Sequence, residues 1–392
     1  MALFLQVLTA KSKQAIATRM TTYSIPLYQP DLSGNEKRYV LECLDSTWIS
    51  SKGIFISEFE NRFAAYVGAR HAVGVCNGTV ALHLALITLG IGPGDEVIVP
   101  TFTYIAAVNA IAYTGATPIF VDSRRDNWQM DSADVRRKIN ARTKALMVVH
   151  LYGHPCEMDA LKEIARERRL FVVEDCAEAF GARYKGRLVG TFGDIATFSF
   201  YGNKTITTGE GGMVVTNDQA LADSAKHFKG QGLAPNREYW HDVIGYNYRM
   251  TNICAAIGLA QLERADEFLS KKRELAKTYQ KYLQGLPVEV HGESADVTNS
   301  YWMTSILVEN PADRDGLRTH LRERGIETRP LFYPVHMMPM YVAGHQMYPV
   351  AQDLAERGIN LPSWPGLGAS QAEAIASAIA SYFGKPSPVG RA

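Results

Sequence analysis

One lysine in this chain stands where an amine becomes a nucleophile. The apolar run Ile195–Phe200 predicts a buried strand, and it leads directly into a glycine-rich turn that carries Lys204. Burial among aromatic residues disfavours the charged form of an amine and so lowers its pKa. Such an amine can form a Schiff base with a carbonyl group. Most lysines are ordinary solvated loop residues, so the interpretation depends on what surrounds this one.

Two neighbours in the sequence favour the chemical interpretation. Ser199 lies five positions before the lysine, and a second predicted strand, Phe171–Val173, ends in Glu174 and Asp175. Only one of two adjacent carboxylates can point to the ligand side of a strand, and a buried Asp175 needs a protonated partner. Pyridoxal phosphate requires a lysine for its aldehyde, an acid for its ring nitrogen and donors for its phosphate. The sequence therefore predicts this cofactor, with Lys204 as its Schiff-base lysine.

A second glycine turn is a candidate phosphate site. The short strand His71–Cys76 is followed by Asn77-Gly78-Thr79 and then by an Ala- and Leu-rich helix. A helix that starts after such a turn points free N–H groups at an anion, although a glycine there can also serve packing alone. Similarly, Tyr104 follows the strand Glu96–Pro100 and could stack on a flat ring or pack in the core.

The order of predicted elements indicates an α/β fold with a mostly parallel sheet. Strands alternate with helices up to residue 200, and ligands of such sheets bind at the carboxyl ends of the strands. The length of 392 residues predicts two unequal domains. We expect a large cofactor-binding domain over residues 25–268 and a smaller α+β domain over 269–392. Residues 1–24 are expected to be a disordered extension.

Composition excludes several functional classes. A net charge of +1 offers no electrostatic attraction to nucleic acid or to an anionic membrane. The five cysteines are odd in number and form no CxxC pair, which is typical of reduced thiols in the cytoplasm rather than of disulfides or a zinc site. The mildly apolar stretch 2–10 lacks a basic cluster before it and is too short to span a bilayer. We therefore expect a cytoplasmic protein without a metal.

Four motifs in combination resemble the DegT/DnrJ/StrS family of nucleotide-sugar aminotransferases, over about residues 25–383. They are Asn77-Gly78-Thr79, Glu174 to Glu178, Phe198 to Lys204 with Gly209 to Gly212, and Gly245 to Arg249. The resemblance implies the type I aspartate-aminotransferase fold and a homodimer with shared active sites, which could pair into a tetramer.

The resemblance also implies roles for single residues. Lys204 would bond the cofactor, Asp175 would pair with its ring nitrogen, and Tyr104 would stack on the ring. Its phosphate would be held by Gly78, Thr79 and Ser199, with Asn247 reaching in from the other subunit. Glu178 departs from the family pattern, because many members have Gln there, near the phenolic oxygen of the cofactor. A glutamate at that place would have to be protonated or turned aside.

Three further runs narrow the resemblance to members that aminate C4 of GDP-4-keto-6-deoxymannose for O-antigen synthesis, with glutamate as the expected amino donor. They are Leu44 to Gly53, His227 to Gly232, and Glu327 to His336. These runs and the fourth motif contain five candidate substrate residues: Trp48, Lys229, Arg249, Arg329 and His336. The three cations among them could bind a diphosphate. Three alternatives remain: an aminotransferase that acts on another nucleotide 4-keto-6-deoxy sugar, a pyridoxal-phosphate-dependent sugar dehydratase, and a non-catalytic regulator. The dehydratases have His in place of Lys204.

Overall fold

The computed structural model describes residues 23–342 and 347–387. Apart from its last two residues, the predicted N-terminal extension lies outside this range. None of the helices in the described part of the chain is both long and apolar enough to span a bilayer.

Twelve α-helices are present in the described residues. They are α1 (Glu36–Asp45), α2 (Ile54–Val67), α3 (Gly78–Thr88), α4 (Ile105–Tyr113), α5 (Ser132–Lys138), α6 (Met158–Arg168), α7 (Gln219–Lys229), α8 (Asn252–Leu262), α9 (Ala265–Leu283), α10 (Asp313–Glu323), α11 (Pro349–Arg357) and α12 (Ala369–Tyr382).

The same residues form fourteen strands. They are β1 (His71–Val75), β2 (Glu96–Pro100), β3 (Thr117–Val121), β4 (Thr143–Val149), β5 (Phe171–Asp175), β6 (Arg183–Tyr184), β7 (Arg187–Leu188), β8 (Ile195–Ser199), β9 (Gly212–Thr216), β10 (Val288–Val290), β11 (Val297–Thr298), β12 (Thr304–Val308), β13 (Arg329–Pro330) and β14 (Gly358–Leu361).

A seven-stranded sheet in the order β1-β9-β8-β5-β4-β2-β3 forms the centre of the molecule. Only β9 runs against its neighbours, and the pairs from β8 to β3 are all parallel. This sheet confirms the predicted α/β class with a mostly parallel sheet. Its inner strands are buried on both faces, which is why they read as continuous apolar runs in the sequence.

Helices cover both faces of this sheet because side chains alternate along each strand. Val73, Met147 and Val173 belong to one buried cluster, which also contains the apolar residues of α3 and α4. On the opposite face, Phe198 packs with the phenylalanines of α2, and Leu146 packs with the apolar side of α6. The layers are therefore helix, sheet and helix.

A second, smaller sheet in the order β10-β12-β14-β13 is antiparallel and packs with α9, α10 and α12. The proposed domain boundary at residue 268 falls within α9. The beginning of the described chain also contacts this unit, since Ile25 forms a parallel bridge with Ile326. The backbone N–H of Leu27 donates to a carboxylate oxygen of Glu327 at 3.0 Å.

The central sheet brings the chemical residues to one edge. In the parallel register, Val149 pairs with Asp175, and Asp175 pairs with Thr197, so β4, β5 and β8 end side by side. The carboxyl edge of such a sheet is where ligands bind.

Gly258 lies in α8 where this helix packs closely against α2. A Cβ at this position would lie 2.6 Å from the ring of Phe59 and 2.8 Å from Cγ2 of Thr208, and Phe59 is fully buried. Gly258→Ala should gain about 1 kcal/mol of helix propensity. Overpacking costs about 1–3 kcal/mol, so the net change should be destabilising. We expect the midpoint of thermal unfolding to fall by roughly 2 °C.

The matched control is Gly292→Ala, whose new Cβ would have no atom within 4 Å. This variant should change stability by less than about 0.5 kcal/mol. An unfolding midpoint of Gly258→Ala equal to or above that of the control would show that α8 and α2 can separate at little cost.

Candidate active site

A cavity of about 650 Å³ lies at the carboxyl edge of the central sheet. Seven of the eight residues predicted to contact the cofactor line it: Gly78, Thr79, Tyr104, Asp175, Glu178, Ser199 and Lys204. These residues come from four separate parts of the chain, and the sheet register brings them together.

Two hydrogen bonds of its backbone hold Lys204 in place. Its N–H donates to the carbonyl of Tyr201 at 2.8 Å, and its carbonyl accepts the hydroxyl of Tyr28 at 2.6 Å. The amine is largely enclosed, with the side chain 13% exposed, and Nζ lies 3.7 Å from Oε1 of Glu178. Burial lowers the pKa of the Lys204 amine, and the nearby carboxylates of Glu178 and Asp175 offset only part of that effect. A larger share of nucleophilic free amine at neutral pH follows from this environment.

Asp175 ends β5 and is buried in the cavity wall. Burial raises the pKa of its carboxyl, while the N–H of Ala177, which donates to Oδ1 at 3.0 Å, and the charge of Lys204 act in the opposite direction. A carboxylate in this position gains most from a cation placed directly against it. A protonated ring nitrogen meets that requirement.

Glu174 points away from the cavity, as the alternation along β5 requires. Its two oxygens accept the backbone N–H groups of Gly190, Phe192 and Gly193 at 2.7–2.8 Å, and Oε2 lies 3.1 Å from Nε2 of His150. Nδ1 of the same histidine accepts the N–H of Cys156 at 3.0 Å, which leaves the proton on Nε2 for Glu174. Glu174 therefore fixes the end of β5 beside Asp175.

Ligand atoms of His150, Glu174 and Cys176 lie within 4.8 Å of one another, but these three residues are poorly suited to bind a metal ion. Both oxygens of Glu174 are already engaged by N–H donors.

Glu178 faces Lys204. Burial raises the pKa of its carboxyl to about 7. Its Oε2 accepts the N–H of Tyr152 at 3.0 Å, which leaves Oε1 towards the amine. A carboxyl of this pKa is present in both the protonated and the charged form near neutral pH. Glu178 can therefore donate to an oxyanion in one state and accept from Lys204 in the other.

The turn before α3 fits a phosphate. Oδ1 of Asn77 accepts the N–H of Val80 at 3.0 Å and so caps the helix, whose first N–H groups lack acceptors within the helix itself. A Cβ on Gly78 would lie 2.7 Å from Cβ of Ser199, so no other residue fits between the two turns. The hydroxyls of Thr79 and Ser199 line the same cavity. This arrangement suits a dianion at a helix N-terminus.

The aromatic residues after β2 separate into two roles. Phe102 is fully buried in the core, whereas Tyr104 is 58% exposed and lines the cavity with its ring centroid 5.5 Å from that of Phe332. The tyrosine is thus free to cover a flat ring, and the phenylalanine is not.

The remaining predicted residues lie away from this cavity within the single chain. Asn247 accepts the guanidinium of Arg249 at 3.1 Å, Arg329 pairs with Glu327 at 2.7 Å, and Lys229 donates to Glu60 and to the carbonyl of Gly74. His336 bonds Thr101 through Nδ1 at 2.7 Å. Trp48 lines a second cavity of about 460 Å³ beside Ile54 and Asn252.

Several residues of the cavity were not identified from the sequence. Tyr201, Asn203, Glu210, Trp302 and Phe332 line it as well. The first three lie within the predicted glycine-rich turn, so proximity to Lys204 could have indicated them. Trp302 and Phe332 come from the C-terminal part of the chain, and nothing in their local sequence indicates the contact.

Comparison with known proteins agrees with this geometry. Residues 30–380 match the DegT/DnrJ/EryC1/StrS aminotransferase family. A protein of Escherichia coli O157:H7 named GDP-perosamine synthase is 64% identical over 359 residues, which cover 92% of this chain and 98% of that protein. A protein of the same name from Vibrio cholerae is 51% identical, with 92% and 99% covered.

Solved structures show the same fold. Streptomyces venezuelae DesV, in complex with a ketimine intermediate, superposes with a TM-score of 0.84 at 39% identity, covering 89% of this chain and 94% of that one. The PLP form of the putative sugar aminotransferase Spr1654 from Streptococcus pneumoniae gives a TM-score of 0.88 at 29% identity, covering 92% and 98%. The resemblance seen in the motifs is therefore confirmed.

The lysine, the acid and the phosphate-sized turn all fit pyridoxal phosphate. The relatives and the solved structures agree with that cofactor. This chain is a pyridoxal-phosphate-dependent aminotransferase and belongs to the DegT/DnrJ/EryC1/StrS aminotransferase family.

Proposed function

We propose that this enzyme transfers an amino group from glutamate to C4 of GDP-4-keto-6-deoxymannose and so forms GDP-perosamine. The observation that carries the proposal is the convergence of Lys204, Asp175 and Glu178 in one cavity. The sugar is suggested by the relatives named GDP-perosamine synthase. We place the reaction in the cytoplasm, as a step towards the O-antigen of a surface polysaccharide.

When bound, pyridoxal phosphate carries the amino group between the two substrates and withdraws electrons from the carbon that loses a proton. The protein supplies the proton transfer. The Nζ of Lys204, with its lowered pKa, is the base, and Oε1 of Glu178 at 3.7 Å can take up the proton or return it. Asp175 would place its negative charge against the ring nitrogen and so favour the protonated form of that nitrogen.

Substrate contacts are proposed outside the cofactor cavity. A diphosphate requires cations, and the exposed guanidinium of Arg329 is available close to the surface, with Lys229 and Arg249 as further candidates. Trp48 and His336 are proposed to contact the sugar nucleotide.

A second subunit is part of the proposal. Four large apolar residues are 55–93% exposed in the isolated chain: Trp48, Ile54, Tyr239 and Ile244. Exposed apolar surface of this kind is typical of subunit interfaces. We propose a homodimer in which Asn247 reaches the phosphate of the neighbouring site. We also retain residues 25–268 as the cofactor-binding domain and 269–392 as the smaller one.

Family membership decides among the earlier alternatives. The family is one of aminotransferases, which argues against the dehydratase and the non-catalytic regulator. Another nucleotide 4-keto-6-deoxy sugar remains the second candidate, because the cofactor cavity does not select a nucleotide.

Incubation with glutamate and a panel of nucleotide 4-keto sugars tests the substrate. We expect GDP-4-keto-6-deoxymannose to give an aminated product with the highest kcat/KM, measured by mass spectrometry of the nucleotide sugars. The dTDP- and UDP-linked 4-keto-6-deoxy sugars are the matched competitors. A higher kcat/KM for one of these would contradict the proposed substrate without affecting the assignment as an aminotransferase.

Asp175→Asn tests the charge at the ring nitrogen. Loss of the carboxylate leaves that nitrogen neutral, so kcat should fall by about 10⁴, the scale seen when an orienting carboxylate is removed from a catalytic triad. Cofactor content, read from absorbance after gel filtration, should stay close to that of the unmodified enzyme. Asp159→Asn is the control, because this aspartate pairs with Lys185 on the surface. A loss of less than about tenfold would mean that Asp175 is not the ring's partner.

Mixed dimers test the shared site. Lys204→Ala and Asn247→Ala subunits should each be impaired alone, and a hybrid of the two contains one site with both lesions and one with neither. Random exchange of chains makes half of the dimers hybrid, so activity should rise to about a quarter of the unmodified level. The defect of Asn247→Ala rests on one hydrogen bond to a charged group, about 1.5–3 kcal/mol.

Activity is measured before and after exchange, and hybrids are counted by native mass spectrometry. If hybrids form and activity stays at the mean of the two parent enzymes, Asn247 does not serve the neighbouring site.

A further inference from the structure

Trp302 comes from the C-terminal part of the chain and reaches the amine of Lys204. It lies two residues before β12 and is only 5% exposed. The Nζ of Lys204 lies 3.9 Å from the centroid of the indole ring. The indole N–H donates to the carbonyl of Asn203, the residue before the lysine, at 2.8 Å. One side chain therefore contacts both the amine and the backbone that presents it.

Two other rings pack close to the indole and nearly parallel to it. Tyr152 lies nearly parallel to it, with an interplanar angle of 8° and centroids 6.1 Å apart, and Phe332 lies at 26° and 6.4 Å. The hydroxyl of Tyr152 accepts the N–H of Phe332 at 3.0 Å, which joins these two residues to each other. Because the indole is enclosed, its face is a preformed surface and not a mobile one.

The charges around the amine leave a role for this surface. Glu178 and Asp175 are the carboxylates whose charges act on Lys204, and Glu210, Tyr104 and Tyr201 line the same cavity. Glu178 can itself be protonated, and Asp175 is the proposed partner of the ring nitrogen. An aromatic face attracts an ammonium group without carrying a charge or taking up a proton, and tryptophan does so most strongly.

We propose that Trp302 positions Lys204. Its ring face holds the ammonium group that forms when the released Nζ takes up a proton, and its N–H keeps the carbonyl of Asn203 in place. The inference deepens the assignment as an aminotransferase, in which the lysine must leave the cofactor and return to it in every cycle.

The first test uses cofactor-free enzyme. The rate at which acetic anhydride acetylates Lys204 is measured against pH by mass spectrometry of the peptide, which gives the apparent pKa of this amine. Trp302→Leu removes the ring face and should lower that pKa by about one unit. Trp302→Phe keeps a weaker ring face and should give a smaller decrease. Trp364→Phe is the matched control, since this tryptophan is also 5% exposed but belongs to the C-terminal core, and it should give no shift.

The order of the three proteins separates the two contacts of the indole. Phenylalanine and leucine both lack the N–H, so equal values in these two variants would assign the effect to the bond with Asn203 and overturn a role for the ring face. A pKa that stays constant or rises in Trp302→Leu would also overturn it. If the leucine variant does not fold, fluorinated tryptophans inserted at position 302 keep the shape and the N–H while weakening the ring face. The pKa should then fall with each added fluorine, and no trend would contradict the proposal.

The loaded enzyme supplies a second readout that does not depend on the first. Trp302→Leu should lower kcat roughly tenfold with KM for the nucleotide sugar nearly unchanged, and Trp302→Phe should recover part of the loss. A change confined to KM would place Trp302 against the substrate and overturn its role as a positioning residue. Failure of the substrate panel would leave the pKa test unaffected, because that test uses neither substrate nor cofactor.

Discussion

The site depends on one constraint, the enclosure of an amine opposite two buried carboxyl groups. Lys204, Asp175 and Glu178 all lose water on folding, and the burial that lowers the pKa of the amine raises the pKa values of both acids. The shifts of Lys204 and Glu178 bring the pKa values of this pair closer together, so a proton can pass between the two groups at smaller cost. The parallel register of β5 and β8 makes the enclosure possible, because it fixes where each of the two turns begins.

The chemistry of the site could be predicted from the sequence where it follows a strand directly. Asp175, Ser199 and Lys204 each end or follow an apolar run, so the pattern that predicts the strand also places the residue at the edge of the sheet. The same reasoning gave the sheet class and the turn before α3. Roles for Asn247 and the substrate residues came from resemblance alone. Within one chain Asn247 bonds Arg249, whereas Arg329 and Lys229 pair with carboxylates and His336 bonds Thr101.

Residues supplied by distant parts of the chain could not be predicted in this way. Tyr28 reaches the carbonyl of Lys204 across 176 positions, and Trp302 reaches that of Asn203 across 99. His150 was not identified from the sequence, although its bond to Glu174 supports the end of β5. Such contacts depend on how the layers pack, and neither hydrophobic period nor local turn chemistry contains that information.

Residues near the start of the described chain connect the smaller sheet to the turn that carries Lys204. The backbone of Ile25 bonds Gly325 and Glu327 of the C-terminal unit. The N–H of Leu27 donates to the side chain of Glu327, and the hydroxyl of Tyr28 donates to the carbonyl of Lys204. The four residues 25–28 therefore link the smaller sheet directly to the turn that carries Lys204. Because an extended chain of that length spans at most about 14 Å, it allows little slack. Movement of the smaller sheet would therefore displace the backbone of Lys204 rather than change the side chains that surround it.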